Sequence, residues 1–155
     1  MKSMGIFHGC INTETLVVVK NQSDASGAYD CLISELGCCR RIEDSSTTDV
    51  RSSLHQMPQF VPPEVWKGST VPSGSDLDLW AAGVVLYMLV DSNPLFAAPV
   101  PSDPMYSSTF LQQASEGPPH SGTSMNLVQR MLCYNIKERL SLQQVKDHPW
   151  LGIHS

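Results

Sequence analysis

One uncharged stretch constrains the fold of this chain more than any other feature. Twelve consecutive residues, from Leu79 to Val90, carry no charge, and they follow Ser75 and Asp76, which can cap a helix. A helix that is apolar on every side is buried on every side or lies in a membrane, and a bilayer needs roughly 20 such residues. The sequence therefore predicts a central buried helix from Ser75 to Val90, and the Asp78 carboxylate near its start must find hydrogen-bond donors.

Length, charge and cysteine content exclude several classes of protein. The 155 residues suit one domain with its own hydrophobic core. The net charge of -5 argues against a surface that binds nucleic acid or an anionic membrane. The five cysteines are an odd number without Cys-x-x-Cys spacing, and no secretory leader is recognisable at the start of the sequence. We therefore expect reduced thiols in the cytoplasm or nucleus, and no zinc site.

The remaining segments predict a mainly α protein with one short β-hairpin. Two apolar runs, Leu16 to Val19 and Tyr29 to Ser34, flank a polar turn and predict the hairpin. The stretch from Glu43 to Ser53 is rich in Ser and Thr, which predicts an exposed loop. Further helices are predicted at Glu64 to Trp66, Tyr106 to Ala114, Met125 to Cys133, and Leu142 to His148 with Ser141 as its cap.

Four motifs, taken in order, resemble the C-terminal lobe of eukaryotic Ser/Thr protein kinases. They are Pro62-Pro63-Glu64, Asp78-Leu79-Trp80 with Gly83, Glu138-Arg139-Leu140, and His148-Pro149-Trp150-Leu151. They match the family's Ala-Pro-Glu element, its central helix beginning Asp-x-Trp-x-x-Gly, and its terminal Arg and His-Pro-Trp helices. Each motif alone is weak, but four in the family's order are a strong signal. Within the family, the amino-acid sequence from Phe60 to Phe96 most resembles that of the liver kinase B1 branch.

This resemblance implies two structural contacts. In kinases the Glu of the Ala-Pro-Glu element pairs with the Arg of the late helix, which implies an ion pair between Glu64 and Arg139. The alternative is that these are two unrelated surface charges. The Asp at the start of the central helix holds the backbone of the catalytic loop in kinases, so Asp78 is expected to find its donors around His8 and Gly9.

The same resemblance places the catalytic loop at His8 to Thr15 and shows it to be altered. In the family sequence His-Arg-Asp-Leu-x-x-x-Asn, the Asp takes the proton of the substrate hydroxyl and the Asn holds Mg²⁺. Here Cys10 stands at the Asp position and Thr15 at the Asn position, while Glu35 replaces the Asp of the metal-binding Asp-Phe-Gly. A thiol with an ordinary pKa of about 8.5 is mostly protonated at neutral pH. The resemblance therefore implies degenerate catalytic and Mg-ATP positions, with no metal-binding set intact.

Other elements of the family are missing from the sequence. It contains no Gly-x-Gly-x-x-Gly and no Val-Ala-Ile-Lys motif, and Met1 lies only a few residues before the catalytic loop. We therefore expect the nucleotide-gripping N-lobe to be absent. The domain is then a partial kinase domain over residues 1–155, with an activation-segment-like region over residues 35–64. Although the family uses Mg-ATP, no cofactor is expected for this chain.

Three interpretations of function follow from these residues. The favoured one is a pseudokinase fragment that acts through protein partners, one of which would cover the central helix. A pseudokinase adaptor and a helical-repeat scaffold are candidate partners by analogy with the family. The alternative is an incomplete chain of an active Ser/Thr kinase that transfers phosphate from ATP. The third makes Cys10 a nucleophile with His8 as its base, although no orienting carboxylate or oxyanion hole is evident.

Overall fold

In the part of the chain that the structure describes, four short strands come first and six α-helices follow. The computed structural model describes residues 5–23, 27–41, 57–68, 73–91, 95–108 and 122–152. In these ranges the strands are β1 (Ile6–Phe7), β2 (Leu16–Lys20), β3 (Tyr29–Ile33) and β4 (Arg40–Arg41). The helices are α1 (Pro63–Trp66), α2 (Gly74–Asp91), α3 (Pro104–Tyr106), α4 (Ser124–Met131), α5 (Leu142–Lys146) and α6 (Pro149–Gly152). Across this part of the chain, no helix combines the length and apolarity needed to cross a membrane.

The strands form two separate antiparallel pairs. β2 and β3 make the predicted hairpin, in which Leu16 lies opposite Ile33. β1 and β4 make a second pair, in which Phe7 lies opposite Arg40. The prediction of a single hairpin was therefore incomplete, because strands of two residues are too short to leave an alternating pattern in the sequence. The second pair brings the segment that follows β1 beside the segment that precedes β4.

The central helix α2 starts one residue earlier than predicted and is not buried throughout. Because it begins at Gly74, Ser75 and Asp76 lie in its first turn rather than at its cap. Most side chains up to Tyr87 are buried, but Leu89 and Val90 expose 74% and 39% of their surface. The prediction of burial on every side is therefore wrong for the last turn, which extends past the residues that cover the rest of the helix.

An aromatic cluster forms the core beside the middle of α2. The Trp80 side chain is fully buried, and its ring centroid lies 6.4 Å from those of both Phe96 and Tyr106. The Phe96 and Tyr106 rings meet edge to face at 5.0 Å, an arrangement that aromatic pairs prefer. The indole N–H of Trp80 donates to the Gln59 carbonyl at 3.2 Å. The core thus fixes α2 against the segments on either side of it in the sequence.

Helices α2 and α4 pack closely because α2 carries a glycine at their contact. A Cβ at Gly83 would lie 2.9 Å from Leu132 Cδ2 and 3.1 Å from Met131 Cβ, which is closer than side chains normally approach. The Thr123 hydroxyl caps α4 by accepting from the Asn126 N–H at 3.1 Å. The helix ends at Met131 rather than at the predicted Cys133, because Leu132 already leaves the helical conformation.

The last two helices lie close to where the sequence predicted them, but one predicted helix end was wrong. Ser141 caps α5 as predicted, and it forms a capping box with Gln144. α5 ends at Lys146 rather than at His148, because the residue that precedes a proline is disfavoured in helical geometry. α6 then begins at Pro149.

Two predicted segments lie partly or wholly outside the described residues. The helix predicted to begin at Tyr106 starts earlier, at Pro104, and residues 109–114 of that prediction are outside the described ranges. The exposed loop predicted at residues 43–53 is also outside them, as is the middle of the activation-segment-like region.

Candidate functional site

The Asp78 carboxylate connects the start of α2 to the loop that follows β1. Its two oxygens accept the backbone N–H groups of His8 at 2.7 Å and of Gly9 at 2.8 Å. This is the contact that the resemblance implied for Asp78. Burial raises the pKa of the Asp78 carboxyl, against the opposing effect of the two N–H groups. Gly9 has a φ of 78°, which favours glycine, and this conformation lets the two successive N–H groups point at one carboxylate.

The His8 ring is buried, and each of its two nitrogens forms a hydrogen bond with a backbone group. Its Nε2 lies 2.8 Å from the Ser34 carbonyl oxygen, and its Nδ1 lies 3.3 Å from the Cys10 backbone N–H. Since a carbonyl can only accept, we assign the proton to Nε2 from this network. Both ring nitrogens are then engaged, and Nδ1 receives the amide of Cys10 rather than its thiol. The arrangement gives no support to His8 as the base of a Cys10 nucleophile.

The Cys10 thiol, at the position of the family's catalytic Asp, stays protonated at neutral pH. Burial, followed by a hydrogen bond with the Cys38 thiol, raises the pKa of Cys10 to about 12. The nearby Asp78 carboxylate also raises it, while Arg40 lowers it. A group that is already protonated cannot take a proton from a substrate hydroxyl. The chemistry that the family requires here is therefore not available from this side chain.

Thr15, at the position of the family's Mg²⁺-binding Asn, uses its hydroxyl inside the loop. The side chain is buried, and Oγ1 lies 3.1 Å from the carbonyl oxygens of both Cys10 and Asn12. The same oxygen accepts the Asn12 backbone N–H at 3.0 Å. These contacts engage the hydroxyl's single donor and one of its two acceptor lone pairs. They leave Thr15 as a structural residue of the loop.

Asn12 organises the same loop, and the sequence analysis did not single it out. Its Oδ1 accepts the N–H groups of Glu14 at 2.7 Å and Thr15 at 3.1 Å, while its Nδ2 donates to the Cys10 carbonyl at 3.1 Å. Asn side chains often form turns by accepting backbone N–H groups two or three residues later, and Asn12 followed by the polar residues Thr13, Glu14 and Thr15 is a signal that could have identified it.

Glu35, at the position of the family's metal-binding Asp, lies at the protein surface. It has a φ of 58° and a ψ of 41°, a left-handed conformation that is uncommon outside glycine. Its side chain is exposed and makes no capping hydrogen bond to the short 3₁₀ turn Leu36–Cys38 that follows. Among the described residues, no group of three or more His, Cys, Asp or Glu side chains could hold a metal ion.

Taken together, the residues at these positions do not fit Mg-ATP as the family binds it. The structure brings His8, Cys10, Thr15 and Asp78 into one hydrogen-bonded loop. In this loop the His8 ring nitrogens and the Thr15 hydroxyl contact backbone groups, and the Asp78 carboxylate of α2 holds two of the loop's amides. Mg²⁺ needs carboxylate or amide oxygens directed at a shared point, which this loop does not present.

Glu64 and Arg139 form a buried anchor away from this loop. Two parallel hydrogen bonds of 2.6 and 2.8 Å join the guanidinium to the carboxylate, and both residues are buried. Arg139 also donates from Nε to the Cys133 carbonyl at 3.1 Å and lies 4.8 Å from the Trp80 ring centroid. The contact is the one implied by the resemblance, and the alternative of two unrelated surface charges is wrong. The bidentate geometry and the aromatic face stabilise the arginine on several sides.

Comparison with known proteins finds kinases over nearly the whole chain. The protein kinase domain family matches residues 1–151. Calcium-dependent protein kinase 27 of Arabidopsis thaliana is 29% identical over 96% of this chain and 29% of its own length. Serine/threonine-protein kinase STK11 of Gallus gallus is 29% identical over 97% of this chain and 32% of its own length. Serine/threonine-protein kinase DCLK3 of Homo sapiens is 28% identical over 97% of this chain and 22% of its own length.

These relatives agree with the architecture described above. The chain spans about a third or less of the length of the curated relatives it matches. The family motifs, the central helix, the Glu64–Arg139 ion pair and the match to residues 1–151 all indicate the same family. The chain belongs to the protein kinase domain family and is a Ser/Thr-kinase-like domain.

Proposed function

We propose that this chain is the C-terminal lobe of a pseudokinase, which transfers no phosphate and acts by binding other proteins. The observation that carries the proposal is the thiol at Cys10. A kinase needs a carboxylate at this position to take the proton of the substrate hydroxyl. Cys10 has a raised pKa of about 12 and is protonated at neutral pH, so it cannot replace that carboxylate.

The two positions that the family uses for Mg²⁺ support the same proposal. The Thr15 hydroxyl is engaged with the backbone of its own loop, and Glu35 is exposed. Most kinase catalysis is the positioning of phosphates and metal ions. A domain without ligands for the metal ions loses that positioning, whatever the identity of the phosphate acceptor.

Exposed apolar side chains on the β2–β3 hairpin support a role in protein binding. Val18 and Tyr29 expose 66% and 68% of their surface, and Val17 and Leu32 are also exposed. The register places Val17 beside Leu32 on one face of the hairpin and Val18 with Tyr29 on the other. Apolar groups clustered in this way are typical of interaction surfaces. Leu89 and Val90, at the end of α2, offer a second place for a partner that covers the central helix.

Resemblance to the liver kinase B1 branch suggests what those partners are. A pseudokinase adaptor and a helical-repeat scaffold are the candidates, and both come from family analogy. Action in the cytoplasm or nucleus, without nucleic-acid or membrane binding, belongs to the same proposal. The net charge of -5 is consistent with it.

The test is a calorimetric titration with Mg-ATP, together with an assay for transfer of radiolabelled phosphate. The protein to use is the longest natural product that contains this chain, with an active Ser/Thr kinase as positive control. We expect binding no tighter than about millimolar and no transfer. Micromolar affinity with phosphate transfer would overturn the proposal and establish the alternative, an active Ser/Thr kinase.

A triple variant sharpens this test. Cys10→Asp, Thr15→Asn and Glu35→Asp together restore the family's chemical groups at all three positions. If the three substitutions are what abolish catalysis, the variant of the longest product gains activity that the natural protein lacks. In the isolated 155-residue chain the same variant is expected to stay inactive, because positioning by groups outside these residues supplies most of the catalysis.

A further inference from the structure

We propose that Cys10 and Cys38 form an oxidation site, in which a hydroperoxide converts their two thiols into a reversible disulfide. The bond would join the loop after β1 to the turn before β4. The inference rests on the placement of two thiols and holds whether or not the domain transfers phosphate.

The register of β1 and β4 brings the two cysteines together. Phe7 lies opposite Arg40, so the residues just after β1 run alongside those just before β4. At Gly9, a Cβ would lie 3.8 Å from the Cys38 carbonyl oxygen. Cys10 is the next residue, and both cysteines are half-buried. The segments that contain Cys10 and Cys38 are far apart in sequence. The pairing of two very short strands brings them to contact distance.

The side chains as well as the backbones meet. A hydrogen bond between the two thiols contributes, after burial, to the raised pKa of Cys10. A disulfide requires a Cβ separation of about 3.5 to 4.5 Å, so the oxidation experiment below is a direct test of how closely these two side chains approach. Cys38 ends the 3₁₀ turn Leu36–Cys38, and its backbone N–H donates to the Glu35 carbonyl at 2.9 Å. The turn holds Cys38 in place and thus limits the conformational entropy lost on closing the bond.

The chemistry takes place in two balanced steps. The Cys38 thiol gives up its proton as its sulfur attacks one oxygen of hydrogen peroxide, the O–O bond breaks, Cys38 becomes a sulfenic acid, and the leaving hydroxide takes up that proton and departs as one water. The Cys10 sulfur then attacks the Cys38 sulfur, the S–O bond breaks, and the Cys10 proton leaves with the hydroxide as a second water. Two thiols lose two electrons, and the peroxide is reduced to water. A thiol reductant reverses the bond by exchange.

The other three cysteines serve as internal controls. Cys31 is exposed on β3 and lies opposite Val18 in the hairpin, while Cys133 is near Glu138, in the segment after α4. Cys39 is adjacent to Cys38 in sequence, but its backbone is extended rather than part of the 3₁₀ turn. Of the five cysteines, Cys10 and Cys38 are the two whose thiols are joined here by a hydrogen bond. The proposal therefore predicts one specific bond rather than general oxidation.

The first experiment maps the bond in the natural sequence. The protein is treated with hydrogen peroxide, free thiols are blocked by alkylation, and tryptic peptides are analysed by mass spectrometry without reduction. Trypsin releases Cys10 in the peptide from Ser3 to Lys20 and Cys38 in the peptide from Asn21 to Arg40. We expect these peptides linked within one chain, with fragmentation placing the bond at Cys38. A bond to Cys31 or Cys39, a bond between chains, or an alkylated Cys10 would overturn the proposal.

Matched two-cysteine variants provide the second measurement. One keeps only Cys10 and Cys38, through Cys31→Ser, Cys39→Ser and Cys133→Ser. The other keeps only Cys10 and Cys39, through Cys38→Ser in place of Cys39→Ser. We expect the first to form its disulfide at least about tenfold faster in buffer, and both to react at similar rates in guanidinium chloride, where the native placement is lost. Equal rates in buffer would show that the fold does not direct the bond.

Discussion

The anchor formed by Glu64, Arg139 and Trp80 and the loop from His8 to Thr15 make a useful comparison within one molecule. The anchor keeps the charged residues that the kinase resemblance assigns to it, and its ion pair is bidentate and buried. The loop keeps the buried His8, but at the two positions that the resemblance aligns with the family's catalytic Asp and Mg²⁺-binding Asn it carries Cys10 and Thr15. Asp78 belongs to the structural side of this contrast, because both of its oxygens hold backbone amides.

Physical chemistry explains why the two regions differ. Removing one partner of a buried ion pair leaves an unpaired charge in the core, which costs several kcal/mol. A side chain that contacts a substrate makes few contacts within the folded chain. Its substitution therefore changes the free energy of unfolding only slightly. The function proposed above, a kinase fold without phosphate transfer, is consistent with this difference in cost, and the four predictions below measure how much individual residues contribute to the fold.

The largest effect is expected from Arg139→Ala. It strands the Glu64 carboxylate and removes the guanidinium from the Trp80 ring, so the free energy of unfolding should fall by about 3 to 5 kcal/mol. Denaturant melts measure this loss. Arg130→Ala removes the same charge from an exposed position on α4 and should change stability by about 0.5 kcal/mol or less. A loss below about 1 kcal/mol for Arg139→Ala would contradict the importance of the anchor.

Asp78→Ala is expected to come next. It removes the acceptor of the His8 and Gly9 backbone N–H groups, and each unsatisfied donor costs about 1 to 3 kcal/mol when buried. Since the loop is partly solvated, we expect a total loss of about 2 to 4 kcal/mol in denaturant melts. Asp76→Ala is the matched control, because Asp76 lies on the same helical turn and should cost less than about 1 kcal/mol. Equal losses for the two variants would show that Asp78 acts only through the helix dipole.

The third prediction concerns pH and His148, which is buried at the end of the chain's core. Its Nε2 lies 3.0 Å from Asn126 Oδ1, and its Nδ1 accepts the Trp150 backbone N–H. Burial, together with the charge of Arg130, lowers the pKa of His148 below its ordinary 6.5. The unfolded chain then binds the proton first, so this contribution to stability is complete above pH 6.5 and declines as the pH falls below it.

A comparison of wild type with His148→Gln isolates that contribution. Wild-type stability should fall between pH 7 and pH 5 with a slope of at most about 1.4 kcal/mol per pH unit, the limit for one proton. The variant should show a smaller slope over the same range. Asp78, with its raised pKa, acts in the opposite direction at lower pH and is common to both proteins. Parallel pH curves would contradict a role for His148.

The smallest effect is expected from Cys10→Ser in reducing buffer. The substitution keeps the size of the side chain and all the backbone contacts of the loop, so the free energy of unfolding should change by less than about 1 kcal/mol. Cys10 directly follows the two residues whose amides Asp78 holds, which makes this variant a close counterpart of Asp78→Ala. A loss as large as that of Asp78→Ala would show that the Cys10 side chain is itself a structural element of the loop.

Much of the fold was predictable because its signals are local. The uncharged run from Leu79 to Val90 predicted the central helix, two apolar runs around a polar turn predicted the hairpin, and Ser141 predicted the start of α5. Glu64, Asp78 and Arg139 were also identified correctly as structural contacts, because the kinase motifs carry them. The roles of Cys10, Thr15 and Glu35 remain predictions from the same motifs.

Tertiary structure decided what local patterns do not encode. The pairing of β1 with β4 joins two strands of two residues each, and only the folded chain brings them together. Exposure of Leu89 depends on which elements cover the end of α2, since an apolar residue has the same sequence signal whether or not a neighbour packs on it. The commitment of both His8 nitrogens to backbone groups, and the contact of Cys10 with Cys38, likewise depend on distances between segments separate in sequence. The sequence by itself thus determined the helices, the hairpin and the chemical groups available, whereas the tertiary structure decided which of those groups meet.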